Sequence, residues 1–457
     1  MSFVVYDLSF LVIFTLAVII FIYKKKHQGR KMTREGLMYL YKTQVGVRFI
    51  DKIGTKYEKI IKALKYPVIT LGYILLAGIL FILGQAIYIY IKVPEITKII
   101  KTPPLVPLIP YFPEIFGAQS LFPPFYFVYF IIALIIVAFV HEFSHGIFAR
   151  ANKVRIKSTG VVFLGPILGA FVEQDDKQML KRSNSEQMSI LGAGVFANII
   201  TAIIFFLLLL IVFHTMFTPS GAVFSTYSYG VLSASSITNM SINSEEMITL
   251  QTINGSYILD KESYDKQISE GDGERIIAFY DAPAINNKIS GAITRIDGRD
   301  IKDLQEFVEV IGSYKPGEKI ELTTTEGTYE IILGKNPTDE KKQFLGVGFQ
   351  SNGETKGMRG LYKKIFFFKD PSTYYQPKLD GVSVFIYDLL WWIAMINFMV
   401  GLFNMLPFAF LDGGRFFYLT VLSITKSEKF SQRSFKWATR IILLMFVALM
   451  FVWVIKL

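Results

Sequence analysis

Six apolar stretches, each close to a bilayer's thickness, constrain this 457-residue chain more than any other feature. They cover residues 3–23, 66–91, 125–150, 188–217, 382–410 and 437–455. A hydrocarbon core about 30 Å thick is crossed by roughly 20 residues of helix, which each of these supplies or nearly supplies. A hydrophobic content of 52% and a positive mean hydropathy agree with a polytopic α-helical membrane protein. The first stretch is read as a span rather than a secretory leader, because Lys24, Lys25 and Lys26 follow it and no basic run precedes it.

The net charge of +11 belongs to topology, since the basic residues gather beside the apolar spans. No nucleic acid partner is expected from it. Residues 24–65 hold thirteen Lys and Arg against Glu35, Asp51 and Glu58, which puts that loop in the cytoplasm. Alternation then places residues 92–124 outside, 151–187 inside, 218–381 outside and 412–436 inside, with both termini facing outward. Every basic loop, including those carrying Lys153, Arg155 and Lys157 and later Arg415, Lys426, Lys429 and Arg433, falls on the cytoplasmic side.

The outer segment changes character, with short apolar runs punctuated by Gly, Ser, Asn and Asp, as in a soluble β-rich module. Residues 291–296 read as a strand ending in an Asp297-Gly298 turn, and Leu304, Phe307, Val308 and Ile311 recur at helical spacing. A hairpin is expected from 319–325 and 328–333 across Glu326-Gly327. This order, followed by the strand-like 344–348, resembles the C-terminal half of a PDZ domain; another small β module is the alternative. Residues 224–283 are less typical and leave room for an insertion. Between this module and the fifth span, residues 363–369 enclose three consecutive phenylalanines, suited to a membrane interface or a buried linker strand.

The chain has no cysteine, so disulfides, thiolate metal sites and cysteine nucleophiles are excluded. Any metal must be held by His, Asp or Glu, and the histidines are His27, His141, His145 and His214. In His141-Glu142-Phe-Ser-His145 the two imidazoles lie four residues apart on one helix face, with Glu142 beside them. That arrangement can hold Zn²⁺ and leaves a carboxylate free to move protons. Ionisable groups inside a span mark functional sites by default. A third protein ligand is needed. Depth rules out His27 and His214, leaving Asp388 and Asp412. Read as one helix, the 24 residues between those two cover about 36 Å, so only Asp412 reaches the level of the histidines.

With HEFSH at the inner end of one span and Asn404-Met-Leu-Pro407-Phe-Ala-Phe-Leu-Asp412-Gly413 in a later one, the chain resembles the site-2 protease family of intramembrane metalloproteases. The resemblance covers residues 125–217 and 382–420 and looks most like archaeal forms. It implies His141, His145 and Asp412 as zinc ligands and Glu142 as catalytic base. It also implies a membrane-associated β-hairpin at 160–170, whose edge receives an unwound substrate; a Gly-rich connecting loop is the plain alternative. Gly194-Val-Phe-Ala-Asn198 is similar to a family motif, although many members have proline where Val195 stands. Asn198 and Asn404 are candidate substrate-binding residues, with helix-to-helix hydrogen bonding an equal role for Asn198.

The expected organisation is two N-terminal spans with their loops (1–123), a first catalytic part (124–217), an extracytoplasmic α+β PDZ-like domain (218–356), an interfacial linker (357–381) and a second catalytic part with the last span (382–457). The expected activity is hydrolysis of transmembrane protein substrates within the bilayer of the cell membrane, near its cytoplasmic side. Two rivals stand beside it: a membrane-anchored zinc peptidase acting on soluble or misfolded chains, and a PDZ scaffold with a structural metal. An aspartate ligand in a second span speaks against the first, and Glu142, which ligation does not require, against the second.

Overall fold

A computed structural model describes residues 3–27, 32–92, 103–119, 121–243, 246–253, 255–270, 274–350 and 368–456. The phenylalanine-rich stretch within 363–369 lies outside them except for its last two residues, as does 357–367 of the expected linker. Two compact units emerge, one formed by residues 1–212 and 384–457 and the other by 213–383.

The first unit is built on long helices, Phe3–His27, Lys65–Lys92, Phe127–Ala151, Asn184–Met216, Asp380–Phe403 and Glu428–Lys456. All six are long and apolar enough to cross a membrane. In the first half of Phe127–Ala151, Phe127, Tyr129, Phe130, Ala133 and Val137 pack with Phe125 and with Trp392, Ile393 and Ile396 of Asp380–Phe403. Tyr126 precedes this helix and gives it no side-chain cap. The cap comes from another span. Asp7 of Phe3–His27, buried among apolar neighbours, accepts hydrogen bonds from the N–H of Phe127 (2.7 Å) and Val128 (2.9 Å), and from the Tyr111 hydroxyl (2.5 Å). A carboxylate there satisfies two otherwise orphaned donors and complements the positive end of the helix dipole.

Within the loop expected at 24–65, residues 32–65 form strands and short helices. Its strands Met32–Glu35 and Met38–Thr43 join Ile156–Leu164 and Ile167–Gln174 in one antiparallel four-stranded sheet, in that order. The hairpin expected over 160–170 therefore forms, as half of a larger sheet. Charge counting concealed the first two strands, in which Arg34 is exposed and Lys42 half-buried. Gly165 turns the second hairpin at φ 60°. Gly160 lets the Phe171 ring lie across the sheet, since a Cβ there would sit 2.3 Å from both that ring and the Tyr41 carbonyl.

The helix Val47–Lys56 packs onto the lower half of Phe127–Ala151 through small residues. A Cβ on Gly54 would meet the Arg150 side chain at 2.7 Å, and one on Gly146 would meet Ile50 at 3.0 Å. Ile50, Phe148, Ala149, Val154, Ile190 and Ala193 fill the core under this contact.

The fifth span is not one helix over 382–410. It ends at Phe403, residues 404–411 turn, and a new helix runs Asp412–Thr425 through what charge patterning assigned to a loop. Pro407 has no N–H to give the Phe403 carbonyl, which accepts from Leu406 instead (3.0 Å). The Gly413 N–H then folds back onto the Asn404 carbonyl at 2.7 Å. A Cβ on Gly413 would lie 2.2 Å from Met405 backbone, so this closure requires glycine.

The second unit contains two larger sheets with separate cores and two short two-stranded ladders. One contains Phe217–Ala222, Ile293–Ile296, Lys319–Thr324, Thr328–Ile332 and Thr373–Pro377, with the helix Leu304–Gly312 across it. Ile293, Ile296, Phe307, Val310, Leu322 and Ile331 are among its core residues. Asp303 caps that helix by accepting from the Glu306 N–H at 2.9 Å. The strand, helix and hairpin read from 291–333 are thus present. The other sheet, Tyr229–Ser233, Arg275–Tyr280, Gly255–Asp260, Met247–Thr252 and Ile237–Ile242 in spatial order, encloses Leu232, Ile248, Leu250, Tyr257 and Ile276 and carries the helix Lys261–Glu270.

Candidate active site

Three side chains meet inside the first unit. His141 Nε2 lies 3.0 Å from His145 Nε2 and 3.1 Å from Asp412 Oδ2, and His145 Nε2 lies 3.2 Å from that same oxygen. Both histidines are buried and Asp412 nearly so. Helical spacing of four residues stacks the histidines on one face of Phe127–Ala151. The aspartate arrives from the start of Asp412–Thr425, brought back by the 404–411 turn and tied down where Arg415 donates to Gln187 Oε1 at 3.1 Å. Asp412 reaches the histidines not at the end of one continuous helix, as expected, but by the fold-back of the chain at Pro407 and Gly413.

The donor chemistry of this trio fits a metal ion. His145 Nδ1 lies 2.7 Å from the Ile190 carbonyl, which can only accept, so Nδ1 carries the proton and Nε2 presents a lone pair. His141 Nδ1 lies 3.1 Å from the Asn198 amide. With the amide oxygen facing that nitrogen, the buried Asn198 oxygen, otherwise without a partner, accepts from Nδ1–H, and His141 Nε2 is a second lone pair. Two lone pairs and a carboxylate oxygen then face one another with no proton between them. A cation resolves that repulsion. Ligands about 2.0–2.1 Å from one tetrahedral zinc ion stand roughly 3.3 Å apart, close to the 3.0–3.2 Å triangle here. The Ile190 and Asn198 contacts are of the kind that fix the tautomer and orientation of metal-bound histidines.

Glu142 stands outside the triangle. Its Oε2 accepts from the Val172 N–H at 3.1 Å, on the edge strand Ile167–Gln174 of the four-stranded sheet. This tie between the carboxylate and a strand edge has no signature in the sequence. Asn404, at the end of Asp380–Phe403, approaches His141 Nε2 with its amide nitrogen at 3.4 Å. Both asparagines singled out from sequence therefore lie against His141, Asn198 from a helix and Asn404 from the turn that follows Phe403. Gly194 makes room for the cluster: a Cβ there would fall 2.5 Å from His145 Nε2 and 2.6 Å from His141 Cε1. Asp388 is buried on Asp380–Phe403 and takes no part in the cluster. His214 is exposed near the far end of Asn184–Met216, 24 residues beyond Ile190.

Comparison with known proteins agrees with this geometry. An uncharacterized protein of Methanocaldococcus jannaschii is 30% identical over 196 residues, 41% of this chain and 48% of that protein. The chain thus spans about half the length of this curated relative. Peptidase family M50 matches residues 129–449, a range that takes in both histidines, Glu142, both asparagines and Asp412. The match extends over more than half of the chain, and the protein belongs to peptidase family M50.

Proposed function

We propose that this integral membrane protein is a zinc endopeptidase that hydrolyses peptide bonds within or beside the transmembrane segments of other membrane proteins. The observation that carries the reading is the buried His141–His145–Asp412 triangle with Glu142 next to it on a helix fit to span a bilayer. His141, His145 and Asp412 hold the ion. When bound, zinc supplies an acidified water and polarises the scissile carbonyl. Glu142 takes the proton of the attacking water and returns it to the leaving amine. Asn198 orients the His141 ring, and Asn404 donates to the oxygen on which charge develops.

A substrate helix hides its carbonyls in its own hydrogen bonds, so it must unwind before hydrolysis. In a lipid setting the freed backbone groups need partners. The outer edge of Ile167–Gln174 offers them by strand addition, next to the carboxylate that Val172 holds. Unit 213–383 serves as a PDZ-like, extracytoplasmic screen for substrates, with the active site toward the cytoplasmic side of the cell membrane.

The test is cleavage of a labelled single-span substrate by the purified full chain, with and without a chelator, beside Glu142→Gln. Cleavage that stops in both cases, with zinc retained by the variant, supports the assignment. Undiminished cleavage by Glu142→Gln sinks it.

A further inference from the structure

At the end of Phe127–Ala151 that carries His145, a cleft of about 670 Å³ opens toward Val47–Lys56 and the start of Ile156–Leu164. Its charged lining is Arg150, Arg155 and Lys157 against one carboxylate, Asp51, which leaves two net positive charges (three minus one). Arg150 Nε is 2.9 Å from Asp51 Oδ1 and so is partly neutralised. Arg155 and Lys157 are exposed, and both line the cleft. Their backbone is pinned from both sides. The Arg155 N–H donates to Gln178 Oε1 at 2.9 Å, and Gln44 Nε2 donates to the Lys157 carbonyl at 3.0 Å. Two cations on pinned backbone thus stand beside a third, an arrangement that suits a phosphate group.

Exposed apolar residues close in sequence to the cleft lining indicate what carries that phosphate. Val45 is 78% exposed, Leu180 67% and Phe49 51%, each within a few residues of a cleft-lining side chain. The cleft also lies where apolar helices give way to basic residues, at Lys65 and at Arg150. A free anion has no use for bare aliphatic and aromatic side chains beside its site, whereas a lipid's acyl chains do. We propose that this cleft binds the headgroup phosphate of an anionic phospholipid, with its acyl chains against Val45, Phe49 and Leu180. Such basic pockets next to membrane helices capture anionic headgroups by charge, at close range. The bound lipid holds the terminal turn of the helix that carries His141 and His145, five residues past His145.

Binding of dioleoyl phosphatidylglycerol and of dioleoyl phosphatidylcholine to the full chain in neutral detergent, read by native mass spectrometry, tests this. Phosphatidylglycerol binds preferentially. Arg155→Gln/Lys157→Gln weakens it about thirtyfold, each surface cation contributing about fivefold. Asp51→Asn tightens it several-fold, which gives a second variant of opposite sign. Lys429→Gln, in a different basic segment, leaves it unchanged. Melting temperatures measured without added lipid verify that the exposed substitutions do not unfold the chain. Equal binding of the two lipids, full retention by the double variant, or an equal loss in Lys429→Gln overturns the proposal. Displacement of the lipid by inorganic phosphate at equal concentration overturns it too, since the site then reads a free anion.

Discussion

Gly194→Ala is the most economical perturbation of the proposed metal centre, because it adds one methyl group and removes no functional atom. That methyl would sit 2.5 Å from His145 Nε2, against an ordinary contact of 3.4 Å, an overlap of 0.9 Å. It would press on His141 as well, at 2.6 Å from Cε1 and 2.7 Å from Nδ1. Helix Asn184–Met216 cannot retreat freely, because Ile190 and Ala193 are buried in the core beneath it. The rings must move by close to the overlap, several times the roughly 0.2 Å tolerance of a metal–ligand distance. Zinc affinity is therefore expected to fall at least about a hundredfold, the upper range seen when ligand-orienting contacts are lost. Overpacking costs folding only about 1–3 kcal/mol. Competition titration against a calibrated chelator measures the first quantity and thermal melting of the metal-free protein the second. Gly84→Ala, where nothing lies within 4 Å of the added carbon, is the control. Wild-type zinc affinity in Gly194→Ala would refute the reasoning.

Other substitutions separate roles that the geometry joins. Glu142→Gln should keep stoichiometric zinc, measured by elemental analysis, while peptide hydrolysis falls roughly 10²- to 10⁴-fold, the usual share of a general base. Asp7→Ala should lower stability by roughly 2–5 kcal/mol, because two buried helix N–H groups lose their acceptor; chemical denaturation in detergent reads this, and an unchanged midpoint would contradict the capping role. Tyr314 donates to Asp297 Oδ2 at 2.7 Å, and that bond pushes its phenol from 10.0 up to about 12. The folded value is the raised one, so the contribution is fully present below pH 10.0 and is lost as pH rises through about 12. Alkaline melting curves of the wild type should lose stability across that window relative to Tyr314→Phe.

The sequence was most legible where one short-range period governs structure. Apolar runs of helix-spanning length marked the long helices, and the four-residue step in HEFSH placed two imidazoles on one face before any tertiary contact was known. In the second unit, Leu304, Phe307 and Ile311 and the alternation around Glu326-Gly327 foretold a helix and a hairpin that the structure contains. Positive charge was a poorer guide. It marked 24–65 and 412–436 as segments between spans but did not reveal the strands and helices within them, because Lys and Arg on an exposed face do not prevent pairing of the backbone that carries them.

Long-range placement came only from the tertiary structure. Nothing local joins Met38–Thr43 to Ile156–Leu164, Asp7 to the start of the histidine-bearing helix, or Glu142 to the Val172 N–H. Each contact satisfies a backbone donor or a strand edge left open by its own neighbours, and such a debt can be met from anywhere in the chain. The aspartate shows both sides. Its residue type, its neighbours and its approximate level were readable, but Asp412 reaches the histidines only because Pro407 ends one helix and Gly413 can pass against Met405. The sequence by itself therefore singled out His141, His145 and Asp412 as candidate ligands and Glu142 beside them. The close packing of helices and the turn at 404–411 decided that the two histidines and the aspartate meet within 3.2 Å, because His141 and Asp412, 271 positions apart, are brought together only by tertiary packing.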